Sequence, residues 1–420
     1  MEIRQAAPIY VPIWQGMLKE SVDLLSEKII CVSRRVTRCK KPLCDLTGGN
    51  DTRVTAAAIS HDIGNASEAD ITWVVAGAED HPDVQIATRI AKMFNWRLLR
   101  LDRLLPTDAP LEELRDAAVY ADGSALIDSA FCRVMRECSY RSQWDWHVGS
   151  IGGELLRDFF WSQEMLSLGR TSKVNYDSLL AYRLYASPSR EISILGQDIP
   201  SIAMHDEVLL EPYHQIDREG GELPNPYKLD VMYLHKLCYS AGVGLSWLTG
   251  LQHIRCPLLS WEIISIALSL PWHWKTNRQM TLRLINQMSP LLSQIPNDAG
   301  APMVPWGVTT WPTHTAFELK RIFRVMPRIL RKLTGGSGGL VSPVVVQPPA
   351  SWLDQLANSK HIDSFVDRRK INELLLCIKS STRTADQRLA VYTLLTLDLL
   401  LGGVPNLRAK IEFGTSPKRG

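Results

Sequence analysis

Between residues 42 and 161, short apolar segments, polar loops and amphipathic helices follow one another in a repeated order. Buried strands are predicted at residues 42–46, 71–76, 96–101 and 144–148. Helical patterns follow them, at residues 54–59, 84–94, 111–120, 126–138 and from 154 through 161. Strands that alternate with helices form right-handed crossovers and a parallel sheet covered on both faces. The pattern predicts an α/β fold with a doubly wound parallel sheet.

The remaining sequence is predicted to be mostly helical. From about residue 170 the strand pattern fades, and helices are predicted at residues 229–240, 261–270, 278–288, 316–333 and 388–401. The chain is divided accordingly: an N-terminal helical segment that packs on the core (1–40), the α/β core (41–165), a helical part (166–333), a flexible linker (334–351) and a C-terminal helical extension (352–420). The linker prediction rests on Gly335-Gly-Ser-Gly-Gly339 and the prolines that follow it.

Composition excludes several classes of protein. With 47 Lys+Arg against 44 Asp+Glu, the net charge of +3 is too small for an extended nucleic-acid surface. Apolar residues make up 45% and charged residues 22%, as in folded globular chains, so general disorder is excluded. No apolar run is long enough for a membrane span, and the first residues lack the order of a signal peptide. The eight cysteines follow no disulfide or zinc spacing, so a cytoplasmic protein is expected.

The loop after the first strand has the composition of a phosphate-binding loop. It reads Leu46-Thr47-Gly48-Gly49-Asn50-Asp51-Thr52. Glycines let backbone N–H groups converge, and the start of the next helix adds partial positive charge. Asp51 would repel a bare phosphate, so phosphate binding here calls for a bridging Mg²⁺. The alternative is a tight turn in which Asp51 or Thr52 caps the helix.

These residues resemble a known family. The segment 46–52 is similar to the SGGxDS pyrophosphate loop of the N-type ATP pyrophosphatases, with threonine for both serines. Later segments, in the same order, resemble the synthetase domain of asparagine synthetase over roughly residues 14–300. They are the second strand and its helix (74–91), a GxGxDE-like loop (149–154), an E-x-R-x-P-F-x-D-like segment (253–259) and an LPxxxK segment (270–275) followed by Leu282-Arg283.

The resemblance implies that ATP activates a carboxylate. An acyl-adenylate would form with release of pyrophosphate, and an amine or ammonia would then capture the acyl group as an amide. It implies a set of nucleotide-binding residues: Leu46, Thr47, Gly48, Gly49, Asn50, Asp51, Thr52, Ala76, Gly77, Gly149 and Ser150. It also implies Mg²⁺ on Asp51 and Glu154, and makes Asp51, Glu154 and Lys275 the candidate catalytic residues.

The sequence departs from the family at several positions. Gly153 stands where the family has its metal-binding Asp, and Ser150 stands where it has an acid or tyrosine. Glu154 is then the only carboxylate of that loop, either a second metal ligand or a charge that favours the start of a helix. The family's catalytic lysine has no counterpart in residues 295–300. Lys275 is the candidate in its place, with a surface or hinge position as the alternative.

Two kinds of function stay open. The first is an amide-forming ligase of a specialised biosynthetic pathway, acting on a small-molecule or peptide carboxylate. Because residue 2 is Glu2 and not the cysteine of a glutaminase domain, the nucleophile is expected to be free ammonia, an amine substrate or ammonia from a separate glutaminase. The second is a catalytically degenerate nucleotide-binding protein that serves a pathway partner. Sulfur or nitrogen transfer to tRNA has little support, since the chain has no strong basic charge.

Overall fold

The sheet and its surrounding helices are seen in a computed structural model. It describes residues 10–63, 70–101, 109–121, 127–161, 174–180, 202–297, 300–307, 309–317, 319, 350–359, 368–379, 391 and 394–396. The predicted linker at 334–351 lies outside the described residues as far as 349, as do most of the helices predicted at 316–333 and 388–401.

Five parallel strands form one sheet. They are β1 (Pro42–Asp45), β2 (Thr72–Ala76), β3 (Arg97–Leu101), β4 (Trp146–Val148) and β5 (His253–Arg255). Their spatial order is β3-β2-β1-β4-β5, and all four neighbouring pairs are parallel. The predicted α/β class with a parallel sheet is confirmed. Because the chain runs outward from β1 in one direction and later in the other, a crevice opens between the carboxyl ends of β1 and β4, the usual ligand position in such sheets.

Helices cover the sheet and form most of the rest of the described chain. They are α1 (Leu18–Thr37), α2 (Asn50–Ile63), α3 (Pro82–Phe94), α4 (Leu111–Tyr120), α5 (Ile127–Arg141), α6 (Tyr176–Leu179), α7 (Ile202–Gly220), α8 (Asn225–Leu237), α9 (Val243–Leu248), α10 (Trp261–Ser269), α11 (Trp272–Lys275), α12 (Gln279–Met288), α13 (Pro290–Ser293), α14 (Ala350–Asn358) and α15 (Arg368–Lys379). Across the described part of the chain, no helix has the length and apolar character needed to cross a membrane.

Two sequence predictions are wrong in this region. The strand pattern does not end near residue 170, because β5 adds a fifth strand; it has only three residues, and its His253 and Arg255 are exposed, so it shows no apolar run. The helix predicted from residue 154 through 161 is a single 3₁₀ turn, Gly153–Leu156. It stops at Arg157, whose backbone is extended (φ −149°, ψ 172°).

The main hydrophobic core joins α1 to the sheet and to the later helices. Leu25 and Ile29 of α1 are fully buried in the same cluster as Ile59 of α2 and Leu282 and Ile285 of α12. The amphipathic pattern of α1 therefore covers one side of the α/β unit. This packing fixes the first turn of α2, and with it the loop that precedes that helix.

Candidate functional site

Two glycine-containing loops meet at the crevice between β1 and β4. The first, residues 46–49, joins β1 to α2, and the second, residues 149–152, joins β4 to the 3₁₀ turn. The Leu46 N–H donates to the Val74 carbonyl at 2.8 Å, and the Gly149 N–H donates to the Arg255 carbonyl at 2.9 Å. Each loop therefore leaves its strand in register with the neighbouring strand, which fixes where the crevice begins.

Side chains of the first loop and of α3 satisfy its amide groups. The Thr47 N–H donates to Thr52 Oγ1 at 3.2 Å, and the two threonine hydroxyls lie 2.9 Å apart. The Gly49 N–H donates to Thr47 Oγ1 at 3.1 Å. The Gly48 N–H donates to Asp83 Oδ1 at 2.7 Å. The amide of Gly48 is therefore occupied by an anionic oxygen, that of Asp83.

Asp51, in the first turn of α2, is paired with an arginine. Arg157 donates from Nη2 to Asp51 Oδ2 at 2.8 Å and from Nε to Oδ1 at 3.3 Å. Both side chains are largely buried, 15% exposed for Arg157 and 19% for Asp51. Burial raises the pKa of the Asp51 carboxyl; the nearby Glu154 charge adds to this and Arg157 opposes it. The pair joins the first loop to the segment after β4.

Glu154 and Gly153 of the 3₁₀ turn also lie at this pair. Glu154 Oε2 accepts the Gly152 N–H at 3.0 Å, and the Tyr233 hydroxyl hydrogen-bonds to the same carboxylate. Gly153 packs directly against Asp51: a Cβ at position 153 would lie 2.5 Å from Asp51 Oδ1 and 2.8 Å from its Cγ. The absence of a side chain at Gly153 is therefore what allows Asp51 to lie here.

This arrangement does not fit a magnesium ion on Asp51. Mg²⁺ needs carboxylate oxygens at close to 2.1 Å in octahedral geometry. Both oxygens of Asp51 are already bound by the guanidinium of Arg157, which a cation at that distance would have to displace. Within the described ranges, no three His, Cys, Asp or Glu side chains converge as a metal site.

Two buried polar atoms beside the crevice have no hydrogen-bond partner among the described residues. The hydroxyl of Ser150 is buried with no hydrogen-bond partner among the described residues, and the same is true of Asn50 Oδ1. Ser150 as a whole is only 6% exposed. Buried polar atoms are nearly always hydrogen-bonded, so an orphan at a strand end calls for a missing partner. Both residues belong to the predicted nucleotide-binding set.

The remaining predicted nucleotide-binding residues lie at the ends of β1 and β2. Leu46 is fully buried, whereas Ala76 is exposed at the carboxyl end of β2. Gly77 has φ +142° and donates its N–H to the Leu101 carbonyl at 2.9 Å. Only glycine adopts that backbone conformation without strain, and the Gly77 carbonyl accepts a hydrogen bond from Arg100 Nη1 at 3.1 Å.

Lys275 lies in a buried ion pair. Its side chain is fully buried, and Nζ binds Asp230 Oδ2 and the Ala267 carbonyl, the latter at 3.0 Å. Asp230 also accepts the Trp161 indole N–H at 2.9 Å. The alternative of a surface lysine is wrong. The observed contacts brace α8, α10 and α11 against one another.

Sequence reasoning missed a chain of charged groups beside the crevice. His147 of β4 lies between two carboxylates, with Nε2 3.0 Å from Asp45 Oδ1 and Nδ1 3.0 Å from Glu137 Oε2. Arg136 donates to the other oxygen of Glu137 from Nε at 3.1 Å and Nη2 at 3.0 Å. Glu137 is fully buried, while Asp45 is 38% exposed at the end of β1. One indication of this chain was present in the sequence: Asp45 and His147 are polar residues within strands, where side chains alternate between the two faces of the sheet.

The charge of His147 is expected to make stability depend on pH. Burial alone would lower its pKa from 6.5, but Asp45 and Glu137 outweigh burial and raise the pKa to about 9. Because the folded state holds this proton more tightly, the stabilisation is full below pH 6.5 and is lost as pH rises through 9. Over that range we expect the free energy of unfolding of the wild type to fall by about 2 kcal/mol relative to that of His147→Gln. This figure is smaller than the full pKa shift implies, because solvent partly screens Asp45. Urea unfolding from pH 6 to 9.5 measures this, and parallel curves for the two proteins would contradict it.

No protein-family model matches the chain, and no curated protein matches it either. What the site can do is therefore judged from the two loops, the Asp51–Arg157 pair and the unpaired groups at the strand ends.

Proposed function

We propose that the protein binds ATP in the crevice between β1 and β4 and uses it to activate a carboxylate as an acyl-adenylate. An amine or ammonia would then attack the acyl carbon and form an amide with release of AMP, as in the asparagine synthetase-like enzymes that the sequence resembles. The observation that carries the proposal is the pair of loops at the switch point of the sheet, with Ser150 Oγ and Asn50 Oδ1 unpaired between them.

The chemistry of the first loop supports phosphate binding. The amide of Gly48 holds a carboxylate oxygen of Asp83, so the same donor is suited to an oxygen of pyrophosphate. The N-terminus of α2 adds partial positive charge. Arg157 adds a full positive charge, because it is hydrogen-bonded to Asp51 in the first turn of that helix. Groups of this kind stabilise negative charge as it moves onto a departing pyrophosphate. The end of β2, where Ala76 is exposed, would take the adenine, as the resemblance implies.

The resemblance also implies magnesium, which the pairing of Asp51 with Arg157 opposes. ATP in cells carries Mg²⁺ on its own phosphate oxygens, and such an ion needs few protein ligands. We therefore assign no step of the reaction to a metal on Asp51 or Glu154. The carboxylate substrate and the amine donor, with a separate glutaminase as one source of ammonia, stay part of the proposal.

A second candidate function is nucleotide binding without chemistry, in the service of a pathway partner. Its support is specific: Gly153 carries no carboxylate, and Lys275 is buried in a pair with Asp230. At these two positions the chain lacks the free carboxylate and the free lysine that the resemblance implies for chemistry. Binding of ATP is common to both candidates, whereas release of pyrophosphate belongs to the first alone.

Calorimetric titration with ATP, followed by pyrophosphate release across a panel of carboxylates and amines, tests both candidates. Saturable binding below about 1 mM is expected, since weaker binding corresponds to less than about 4 kcal/mol. Pyrophosphate release that depends on one carboxylate class would support the ligase. Binding with no release under any combination would favour the partner protein, and no saturable binding would overturn both.

Ser150→Ala is the sharpest variant for the binding step. Because its hydroxyl has no partner in the described structure, its removal should leave the free energy of unfolding unchanged or slightly raised. Loss of one hydrogen bond to the nucleotide should weaken ATP binding by about 3- to 10-fold. Thermal unfolding and titration of the same sample give both values. Unchanged affinity would mean that the orphaned hydroxyl does not face the ligand.

A further inference from the structure

Asp51, in the first turn of α2, places a negative charge beside the loop where phosphates are expected to bind, and the structure already supplies a cation for it. Arg157 contacts Asp51 through two N–H groups, at 2.8 and 3.3 Å. A guanidinium carries five N–H donors in a fixed fork, so the groups on Nη1 stay available to a second anion. The pair is therefore neutral while still able to donate.

Other contacts hold Arg157 in this position. Its guanidinium carbon lies 4.7 Å from the centre of the Phe159 ring, in cation–π geometry. The extended backbone at Arg157 ends the 3₁₀ turn. The side chain is 15% exposed and thus largely protected from water. In such a setting an ion pair is screened little, and its geometry is kept.

Neither Gly153 nor Glu154 supplies a free carboxylate that could form a metal site together with Asp51. A Cβ on residue 153 would overlap Asp51, so no carboxylate can extend from that position while Asp51 is where it is. Glu154 is held by the Gly152 amide and by Tyr233. The loop is thus built around one Asp–Arg pair and not around a cluster of acids that awaits a metal ion.

We propose that Arg157 is the cation that Asp51 holds at this loop, so that a nucleoside triphosphate binds here without a metal ion on Asp51. The inference rests on the proposed function, because it names the charge that accompanies the phosphates in that site. Arg157 neutralises Asp51 and offers its remaining N–H groups to phosphate oxygens. Any magnesium that enters does so on the phosphates alone.

The test is ATP affinity of the full chain in excess EDTA and in excess Mg²⁺, measured by calorimetry. Wild type is expected to differ less than about threefold between the two conditions, since Arg157 carries the charge in both. Arg157→Gln leaves Asp51 unpaired beside the phosphates, so affinity in EDTA should fall at least about tenfold and recover in Mg²⁺. A role of Arg157 in folding alone would not create a metal dependence.

Two further variants serve as controls for Arg157→Gln. In Asp51→Asn/Arg157→Gln both charges are gone with the shape kept, and the metal dependence of the Gln variant should disappear. Arg157→Lys keeps the charge and should keep binding in EDTA. If Arg157→Gln does not fold, Asp51→Asn decides the matter: its binding in EDTA should be kept or improved, because Arg157 remains and the repelling carboxylate is gone.

The outcomes separate this inference from the proposed function. Wild-type binding that requires Mg²⁺, or an Asp51→Asn protein that loses binding in Mg²⁺, would overturn the part assigned to Arg157 and leave ATP binding in place. Wild type that binds no ATP in either condition would overturn the proposed function, and the inference with it. Equal affinities in the two conditions for wild type, with a metal requirement only in Arg157→Gln, would support both.

Discussion

Lys275→Met is expected to lower the free energy of unfolding by about 3–5 kcal/mol, because it leaves the buried carboxylate of Asp230 without its counter-charge. Lys275 and Asp230 are 0% and 3% exposed, so water cannot take over the lost contact. Burial raises the pKa of Asp230, and Lys275 and the Trp161 indole oppose that rise. Without Lys275 the pKa rises further, so the loss should shrink as pH falls and the carboxyl takes up a proton. Urea unfolding at pH 7 and pH 5 measures both effects.

The double variant Asp230→Asn/Lys275→Met is the matched control. Asparagine keeps the shape of Asp230 and still accepts the Trp161 N–H, while no charge stays buried. Replacing both members of a buried pair by neutral groups is often close to neutral, so most of the lost stability should return. Equal losses in the single and double variants would show that packing, and not charge, is what Lys275 supplies. If the double variant is stable but releases no pyrophosphate while the wild type does, the result would support Lys275 as a catalytic residue.

The sheet could be predicted because its central strands carry their own pattern. Local sequence alone predicts a strand, a turn and a helix here, because β1 and β2 are apolar runs and glycines follow β1. β5 could not be found in this way, since its exposed His253 and Arg255 at the sheet edge remove the apolar run. Pairing with β4, more than 100 residues away in sequence, is what makes residues 253–255 a strand.

The candidate site was predictable in its residues but not in its charges. The sequence indicates Asp51, Ser150 and Glu154 as neighbours, because they follow strands whose ends meet in a parallel sheet. Helical spacing from Glu154 would place Arg157 on the crevice side, but that helix does not form, so the pairing of Arg157 with Asp51 depends on the chain direction after the 3₁₀ turn. The same holds for Lys275, whose partner Asp230 lies on another helix. Long-range ion pairs are set by tertiary packing, which a single sequence does not display.

Gly153→Asp is expected to lower both the stability of the protein and its affinity for ATP. The added Cβ would lie 2.5 Å from Asp51 Oδ1, far inside contact distance, and its carboxylate would stand beside Asp51 and Glu154. We expect the free energy of unfolding to fall by about 2–4 kcal/mol from overlap and like-charge repulsion. ATP affinity should fall at least about 30-fold, because displacement of Asp51 also releases Arg157 from its place.

Gly153→Ala separates the two causes of that loss. It adds the same Cβ without charge, so any further loss in Gly153→Asp measures the repulsion between carboxylates alone. The family that the sequence resembles has an aspartate at this position, and its arrangement leads to the opposite expectation: an added carboxylate would complete a metal site. If Gly153→Asp folds and releases pyrophosphate faster than wild type in a Mg²⁺-dependent way, the loop accepts that site, and the Asp51–Arg157 pair is a resting arrangement that a metal ion displaces. If both variants lose ATP binding and stability together, Gly153 is required for the contact between Asp51 and Arg157, and the charge of this loop is carried by the arginine.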